Sequence, residues 1–289
     1  MLFSMTGFGK AQGIIDKKKI NVEIRSLNSK QADINTRLPH RYKERDLDIR
    51  SIIGNELKRG KMECFINYEN LSEESSSTIN IGVVNGYLNQ LKALGKDVDG
   101  DLLSIAMRLP EVMVTRKEDL QKEEAEGVIQ LVKEAVSELK NYREQEGAVL
   151  EKELVSYVQN IENLLEQVKE FEEGRITNIK ERITKHLEEL VEKENILNDR
   201  LEQELIFYVE KLDITEEKVR LKANCQYYIE IIQEEGKDLK GKKLGFISQE
   251  IGREINTLGS KANDSSIQKI VVQMKDELEK IKEQTLNVL

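Results

Sequence analysis

The chain has 289 residues, of which 38% are hydrophobic, so it is long enough to bury one large core or two of ordinary size. Its 54 acidic and 45 basic residues give a net charge of −9, which argues against a protein that passively coats nucleic acid with a uniformly basic surface. Two cysteines fit neither a disulfide framework nor a zinc site, and no apolar run has membrane-spanning or signal-peptide form, so we expect a cytoplasmic protein without a membrane partner.

The first seventy residues predict a strand, a helix and a second strand. Two runs carry apolar residues at every second position, as half-buried strands do: Ile20, Val22 and Ile24, then Met62, Cys64 and Ile66. Between them, apolar residues that include Leu47 recur at helical spacing over 41–58. We expect Gly60 to supply the left-handed residue that ends this helix.

A short glycine-containing segment, Thr6-Gly7-Phe8-Gly9, precedes the first predicted strand. It is too short to cradle a nucleotide phosphate. We therefore predict a tight bend there, at the start of the strand.

The rest of the chain is predicted to be helical. Apolar residues at three- and four-residue steps predict a long helical hairpin that turns near Glu173-Gly174, and we interpret the charged run 169–175 as a solvated helix face. A last helix begins near Ile267, with Asp264 or Ser265 as its cap. The predicted fold class is α+β and predominantly helical, with an N-terminal α+β domain (1–125), a long helical hairpin (126–198) and a C-terminal helical domain (199–289). Apolar helical seams with few aromatic residues also predict an oligomer.

The standard catalytic signatures are missing from the sequence. It has no phosphate-binding P-loop, no dinucleotide-binding glycine fingerprint, no HExxH zinc motif and no Gly-x-Ser-x-Gly elbow. The two histidines, His40 and His186, are more typical of surface positions than of a catalytic pair. Acid–base chemistry would therefore depend on carboxylates, lysine or metal-bound water.

Two late segments, 213–222 and 249–264, carry an unusual set of charged residues. Helical spacing places Asp213, Glu217 and Arg220 on one face, and Glu250, Glu254 and Thr257 on another. If the two faces met, their carboxylates would repel unless a divalent cation stood between them, and magnesium or manganese takes such oxygen ligands. An ion there would activate water, while Arg220, Arg253 or Lys261 held a phosphate. The alternative is a set of ordinary helix-stabilising ion pairs.

The polar stretch 256–264 predicts a turn between two helices, and loops of this kind often carry binding residues. The structural alternative is a helix that ends at a glycine, followed by the cap of the last helix. Both interpretations are compatible.

The motifs together resemble the YicC/YloC family of bacterial stress-associated proteins from end to end. The matching segments are Ser4–Gly9, Glu23–Lys30, Arg37–Pro39, Arg59–Lys61, Arg143–Gly147 with Leu150, Arg200–Glu204, Asp213–Leu221 and Glu254–Lys261. The resemblance implies a cytosolic endoribonuclease that cuts single-stranded or loop RNA, depends on a divalent ion such as manganese, and forms a hexamer around its substrate. The chain departs from the family pattern at Asn224, where relatives commonly have a histidine, and an amide cannot shuttle a proton.

The resemblance implies roles for these charged residues in an active site. The catalytic residues would be Glu216, Arg220, Glu250, Arg253, Glu254 and Lys261. The metal ligands would be Asp213, Glu217, Glu250 and Glu254. The RNA-binding residues would be Arg25, Asn28, Lys30, Arg37, Arg59, Lys61, Asn256 and Ser260, several of them facing a basic lumen. A non-catalytic RNA-binding or adaptor protein of RNA turnover, and a purely structural helical scaffold, remain the alternatives.

Overall fold

A computed structural model describes residues 1–29, 31–71, 77–93, 101–115, 120–172, 174–175, 177, 181–182, 184–185, 207–208, 210–234 and 240–289. The strands are β1 (Gly7–Ile15), β2 (Lys18–Leu27), β3 (Ala32–Arg37), β4 (Gly60–Asn70), β5 (Ser77–Ile79) and β6 (Met113–Thr115). The α-helices are α1 (Asp46–Leu57), α2 (Ile81–Ala93), α3 (Leu102–Ala106), α4 (Lys122–Val168), α5 (Thr215–Gln233), α6 (Lys240–Ala262) and α7 (Ser265–Thr285). The fold is α+β and predominantly helical, as the sequence predicted.

Four strands form the main sheet, in the order β1-β2-β4-β3. Strand β2 lies antiparallel between β1 and β4, whereas β3 runs parallel to β4. The predicted alternation is confirmed, because one face of β2 and β4 is buried. The buried side chains are the predicted ones: Ile20, Val22, Ile24, Met62, Cys64 and Ile66.

The predicted helix over 41–58 begins with a 3-10 turn, His40–Arg45, and continues as α1. Leu47 was expected on its apolar stripe but is 79% exposed, because α1 buries the face that carries Ile49 and Ile53. The prediction that Gly60 supplies the left-handed residue at the end of this helix was also wrong. Lys58 takes the left-handed conformation that ends α1, with φ at 54°, whereas Gly60 opens β4 with φ at 119°.

Helix α4 is 47 residues long and contributes to two separate cores. Its first half packs on β1 and β2, and its second half packs among the C-terminal helices. The close approach of α4 to β1 explains the glycine segment near the N-terminus. A Cβ on Gly9 would collide with the carbonyl oxygen of Ala135 and lie 2.7 Å from the nitrogen of Leu139. The predicted tight bend is therefore wrong, since Gly7 to Gly9 are strand residues.

The C-terminal core forms where α5, α6 and α7 pack with the second half of α4. Helix α6 continues to Ala262, so the predicted turn over 256–264 is reduced to Asn263 and Asp264. Asn263 has a φ of 46°. Asp264 caps α7 as predicted, because its Oδ1 accepts hydrogen bonds from the backbone N–H groups of Ser266 (2.8 Å) and Ile267 (3.0 Å).

Part of the predicted hairpin lies outside the described residues. This applies to Glu173, to most of the return segment 179–191 and to His186, as well as to the family-like segment 200–204. Gly174 and Arg175, placed at the predicted turn, are helical. In the part of the chain that the structure describes, no helix is both long and apolar enough to cross a membrane.

Candidate active site at the junction of α5 and α6

An ion pair joins the first turn of α5 to the last turn of α6. The Nζ of Lys261 lies 2.7 Å from the Oε1 of Glu217, and the two helices are therefore antiparallel neighbours. Glu217 is 3% exposed, whereas Lys261 remains partly open to solvent. The buried carboxylate of Glu217 therefore holds the ammonium group of Lys261 at the surface.

Asp213 stands immediately before α5 and is exposed. Its Oδ1 accepts hydrogen bonds from the Thr215 hydroxyl (2.8 Å) and the Thr215 backbone N–H (3.1 Å). These bonds lower the pKa of Asp213, and the nearby charge of Lys261 lowers it further. Asp213 is therefore held ionised at the edge of the ion pair.

Arg175 lies beneath the same junction and is 5% exposed. Its Nη2 donates to the carbonyl oxygens of Leu212 and Lys261, the latter at 3.3 Å. Burial lowers the pKa of Arg175, and the neighbouring carboxylate of Asp213 acts in the opposite direction. The interpretation of 169–175 as a solvated face is thus wrong at Arg175. Its burial depends on carbonyl groups far away in the chain, which periodicity does not reveal.

We call Arg175, Asp213, Glu217 and Lys261 the charged cluster. Two of its atoms, Glu217 Oε2 and Arg175 Nε, are buried and have no hydrogen-bond partner among the described residues. A buried polar atom left unpaired costs about 1–3 kcal/mol, and such atoms in native proteins call for an explanation. A functional role for the charged cluster is one such explanation.

Four predicted catalytic residues form two ion pairs on the surface of α5 and α6. Arg220 Nη2 lies 2.5 Å from Glu216 Oε1 on α5, and Arg253 Nη1 lies 3.9 Å from Glu250 Oε2 on α6. All four side chains are exposed, so they are free to meet a ligand.

Glu254 differs from these residues, because it is 6% exposed and makes no hydrogen bond or ion pair with the described part of the chain. It precedes Lys261 by two helical turns, and Asn224 follows Glu217 by the same interval. In an antiparallel pair, Asn224 and Glu254 therefore lie at one level. The amide of Asn224, the residue at which the sequence departs from the expected family pattern, is half-buried.

The expected convergence of Asp213, Glu217, Glu250 and Glu254 is not found. Within the described ranges of this single chain, no group of three or more His, Cys, Asp and Glu side chains is placed to hold a metal ion. Asp213 and Glu217 meet the cation of Lys261, while Glu250 stands exposed on α6 and Glu254 is buried. The four carboxylates are separated because the antiparallel register of α5 and α6 pairs Glu217 with the end of α6.

The residues predicted to bind RNA are divided between the two parts of the fold. Arg25, Arg37 and Lys61 are exposed on the main sheet, and Asn256 and Ser260 are exposed on α6. Lys30 lies outside the described residues.

Two further predicted RNA-binding residues already make contacts within the chain. Asn28 Nδ2 donates to the carbonyl oxygen of Leu286 at 2.7 Å, which ties the N-terminal sheet to the end of α7. Arg59 Nε donates to the carbonyl oxygen of Ser29 at 3.0 Å. Both side chains therefore have a structural role.

Comparison with known proteins covers nearly the whole chain. Residues 2–152 match the family model described as "Endoribonuclease YicC-like, N-terminal region", and residues 168–289 match "Endoribonuclease YicC-like, C-terminal". Over its full length the chain is 31% identical to a "Probable endoribonuclease YicC" of Clostridioides difficile. It is 25% identical, again over the full length of both chains, to a protein of the same name from Haemophilus influenzae.

Proposed function

Because this chain belongs to the YicC-like endoribonuclease family, we propose that it cleaves phosphodiester bonds inside RNA molecules. The charged cluster is the proposed centre of this activity. The observation that carries the assignment is the Lys261 ammonium, partly open to solvent and held at 2.7 Å by the buried carboxylate of Glu217.

The chemistry required is the stabilisation of negative charge on a phosphate and the movement of a proton. A lysine ammonium has three N–H donors, and Glu217 engages one side of Lys261, so donors remain for a phosphate oxygen. Arg220 and Arg253 add exposed guanidinium groups on the same two helices. We assign Glu217 and Arg175 as positioning residues, because they hold the side chain and the carbonyl group of Lys261.

The proton acceptor is proposed among the exposed carboxylates beside Lys261. Asp213 meets this requirement, since it is exposed and the nearby charge of Lys261 helps to lower its pKa, which keeps it ionised. Glu216 is also exposed and is paired with Arg220 on the same helix. A general base must be unprotonated at the working pH and within reach of the attacking hydroxyl group.

The proposed substrate is single-stranded RNA or an RNA loop. Unpaired nucleotides have bases and backbone that are free to adapt to a protein surface, whereas duplex RNA is read mainly through its shape.

A requirement for manganese or magnesium is a separate part of the proposal. In the described ranges, the side chains of a single chain form no group that fits such an ion. Activity measured in chelator and during titration with each metal tests this requirement.

Gel analysis of end-labelled RNA incubated with the purified protein tests the cleavage. We expect Lys261→Met to reduce the cleavage rate about 10²- to 10³-fold, the usual effect of losing one charge-stabilising donor. The matched control is Lys282→Met, which removes a lysine from the exposed pair with Glu279, whose atoms are also 2.7 Å apart. RNA that binds but stays intact with the wild-type protein, with and without metals, would support the adaptor alternative instead.

A hexamer, a cytoplasmic location and a role in stress are further parts of the proposal that come from the family resemblance. Light scattering should give a mass near six times 33.3 kDa if the hexamer is correct. Cell fractionation and the growth of a deletion strain under stress test the other two.

A further inference from the structure

One face of the main sheet carries alternating aromatic and guanidinium groups. The opposite face is covered by α1 and α4. Arg25 on β2 places its Cζ 5.8 Å from the ring centroid of Phe8 on β1 and 5.9 Å from that of Phe65 on β4. Arg37 on β3 places its Cζ 5.2 Å from the Phe65 centroid. We call Phe8, Arg25, Phe65 and Arg37 the sheet ladder.

The register of the strands brings the sheet ladder together. Phe8 is directly opposite Arg25, and Phe65 is directly opposite Arg37. The period of two along a strand places Phe8, Arg25 and Phe65 on the face away from the core. The ladder crosses all four strands, in the sheet order β1-β2-β4-β3.

The sheet ladder is open to solvent. Phe8 is 40% exposed, the side chain of Arg25 is 60% exposed, and Phe65 is half-buried between its two guanidinium neighbours. Part of each ring therefore remains accessible to a flat ligand.

The charges around the sheet ladder favour an anionic ligand. Asn21 donates a hydrogen bond to Glu23 at 3.2 Å, and Lys10 at 3.2 Å and Arg25 at 3.6 Å pair with the same carboxylate. The Asn21 hydrogen bond is the largest of the effects that lower the pKa of Glu23, followed by those of Lys10 and Arg25. Glu63 is paired with Lys61 at 3.9 Å. Arg37 has no carboxylate partner in the described part of the chain.

We propose that the sheet ladder is a stacking platform for the unpaired bases of single-stranded RNA. Phe8 and Phe65 stack on bases, while Arg25 and Arg37 pair with backbone phosphates and extend the stacking surface. Four-stranded sheets with exposed aromatic residues bind two or three bases in this way, and arginine stacking adds to the affinity. Here the two rings lie on β1 and β4, with Arg25 of β2 between them. The inference rests on the proposed function for the presence of RNA, but it concerns binding and not cleavage.

A nucleic acid strand accounts for the guanidinium groups and the aromatic rings of the sheet ladder better than a protein partner does. A protein covering this face would have to pair Arg37 with a carboxylate and bury both rings. A nucleic acid strand supplies an anion and a flat ring in every nucleotide.

The test measures fluorescence anisotropy of a labelled single-stranded oligoadenylate with the full-length variants Phe8→Leu and Phe65→Leu. Leucine keeps an apolar side chain and removes the aromatic face. We expect each variant to weaken binding about 5- to 150-fold, the range known for base–aromatic stacking. The matched control is Phe246→Leu on α6, an exposed ring with Lys242 6.0 Å from its centroid, which should bind as the wild type does.

A strand of the same length without bases separates stacking from charge. The wild-type protein should bind this abasic strand more weakly than the oligoadenylate, and the leucine variants should lose most of that difference. A gel run in parallel shows how much of the RNA is cut during the measurement, so that only the binding of intact RNA is compared.

Three results would overturn the inference. The first is binding of the oligoadenylate by the leucine variants as tight as that of the wild type. The second is an equal loss of binding to the abasic strand. The third is a changed oligomeric mass with unchanged RNA affinity, which would make this face an interface between copies. Failure of the proposed function looks different: the RNA is then bound through the sheet ladder and never cut.

Discussion

Lys261 at the end of α6 and Glu217 at the start of α5 form an ion pair with 2.7 Å between Nζ and Oε1. One partner is buried and the other is partly exposed. The pair joins the two helices at one end of their contact, and the proposed chemistry is centred on it.

The contributions of Lys261 and Glu217 to stability should be coupled. Lys261→Met leaves the buried carboxylate of Glu217 without its cation and should lower the free energy of unfolding by about 1–3 kcal/mol. Adding Glu217→Gln should recover part of this loss, because the double variant no longer buries a lone charge. Urea denaturation of the two single variants and the double variant measures the coupling. Additive losses in the double variant would show that the two side chains do not interact.

A second buried carboxylate, Glu124 in the first turn of α4, should make the N-terminal core sensitive to acid. It accepts hydrogen bonds from Arg41 Nε (2.8 Å) and from the Tyr42 hydroxyl (2.8 Å), and Lys18 lies 3.3 Å away. Burial acts to raise the pKa of Glu124, but these partners outweigh it and lower the pKa. The unfolded chain therefore binds this proton more readily than the folded chain does.

The stability that Glu124 contributes is thus present above its ordinary pKa of 4.5 and is lost as the pH falls through the lowered value. Glu124→Gln should cost about 3–5 kcal/mol at pH 7 and show a shallower loss of stability on acidification. Urea midpoints at neutral and acidic pH measure both effects. The control is Glu126→Gln on the same helix, an exposed residue 3.9 Å from Lys122, which should change little. Equal acid sensitivity of Glu124→Gln and the wild type would contradict the assignment.

The contact of α4 with β1 should not tolerate a side chain at Gly9. Gly9→Ala would place a Cβ against the carbonyl oxygen of Ala135, which is backbone and cannot rotate away. We expect a loss of about 3 kcal/mol, at the upper end for overpacking, measured as a lower melting temperature. Gly86→Ala in α2 is the control: nothing lies within 4 Å of its Cβ, so it should gain about 0.5–1 kcal/mol. A Gly9→Ala protein as stable as the wild type would mean that α4 lies farther from the sheet.

The cap of the last helix should contribute measurably to stability. Asp264→Ala removes the acceptor of two backbone N–H groups at the start of α7 and should cost about 1 kcal/mol. Thermal unfolding followed by circular dichroism measures it. Ser265→Ala, at the next position, provides the comparison and should stay within about 0.5 kcal/mol of the wild type. If both variants lose the same amount, the Asp264 side chain is not the cap.

Local pattern was a good guide wherever one element had one buried face. The alternation of Ile20, Val22 and Ile24 predicted β2, and the spacing of apolar residues predicted helix in the region of α4, as one long helix or a broken pair. The cap at Asp264 was also predicted, since capping involves only the next few residues. Leu47 shows the limit of this approach, because helical spacing alone did not tell which apolar residues would face the core.

Contacts between segments that are distant in the chain could not be predicted from local sequence pattern. The sheet ladder joins residues from four strands, and its aromatic members Phe8 and Phe65 were not among the predicted RNA-binding residues, although Arg25 and Arg37 were. Alternation placed Phe65 on a strand face, but only the pairing of β4 with β3 brings Arg37 beside it.

By itself, the sequence determined the two central strands of the main sheet, the helical character of the rest of the chain and the family to which the chain belongs, because each of these depends on the identity and spacing of residues close together in the chain. Only the tertiary structure decided which charges meet. Spacing placed Glu250 and Glu254 on one face of α6, but the antiparallel register of α5 against α6 set Lys261 opposite Glu217 and buried Glu254. Register is set by the packing of whole helices, so it does not follow from the charged residues that it brings together.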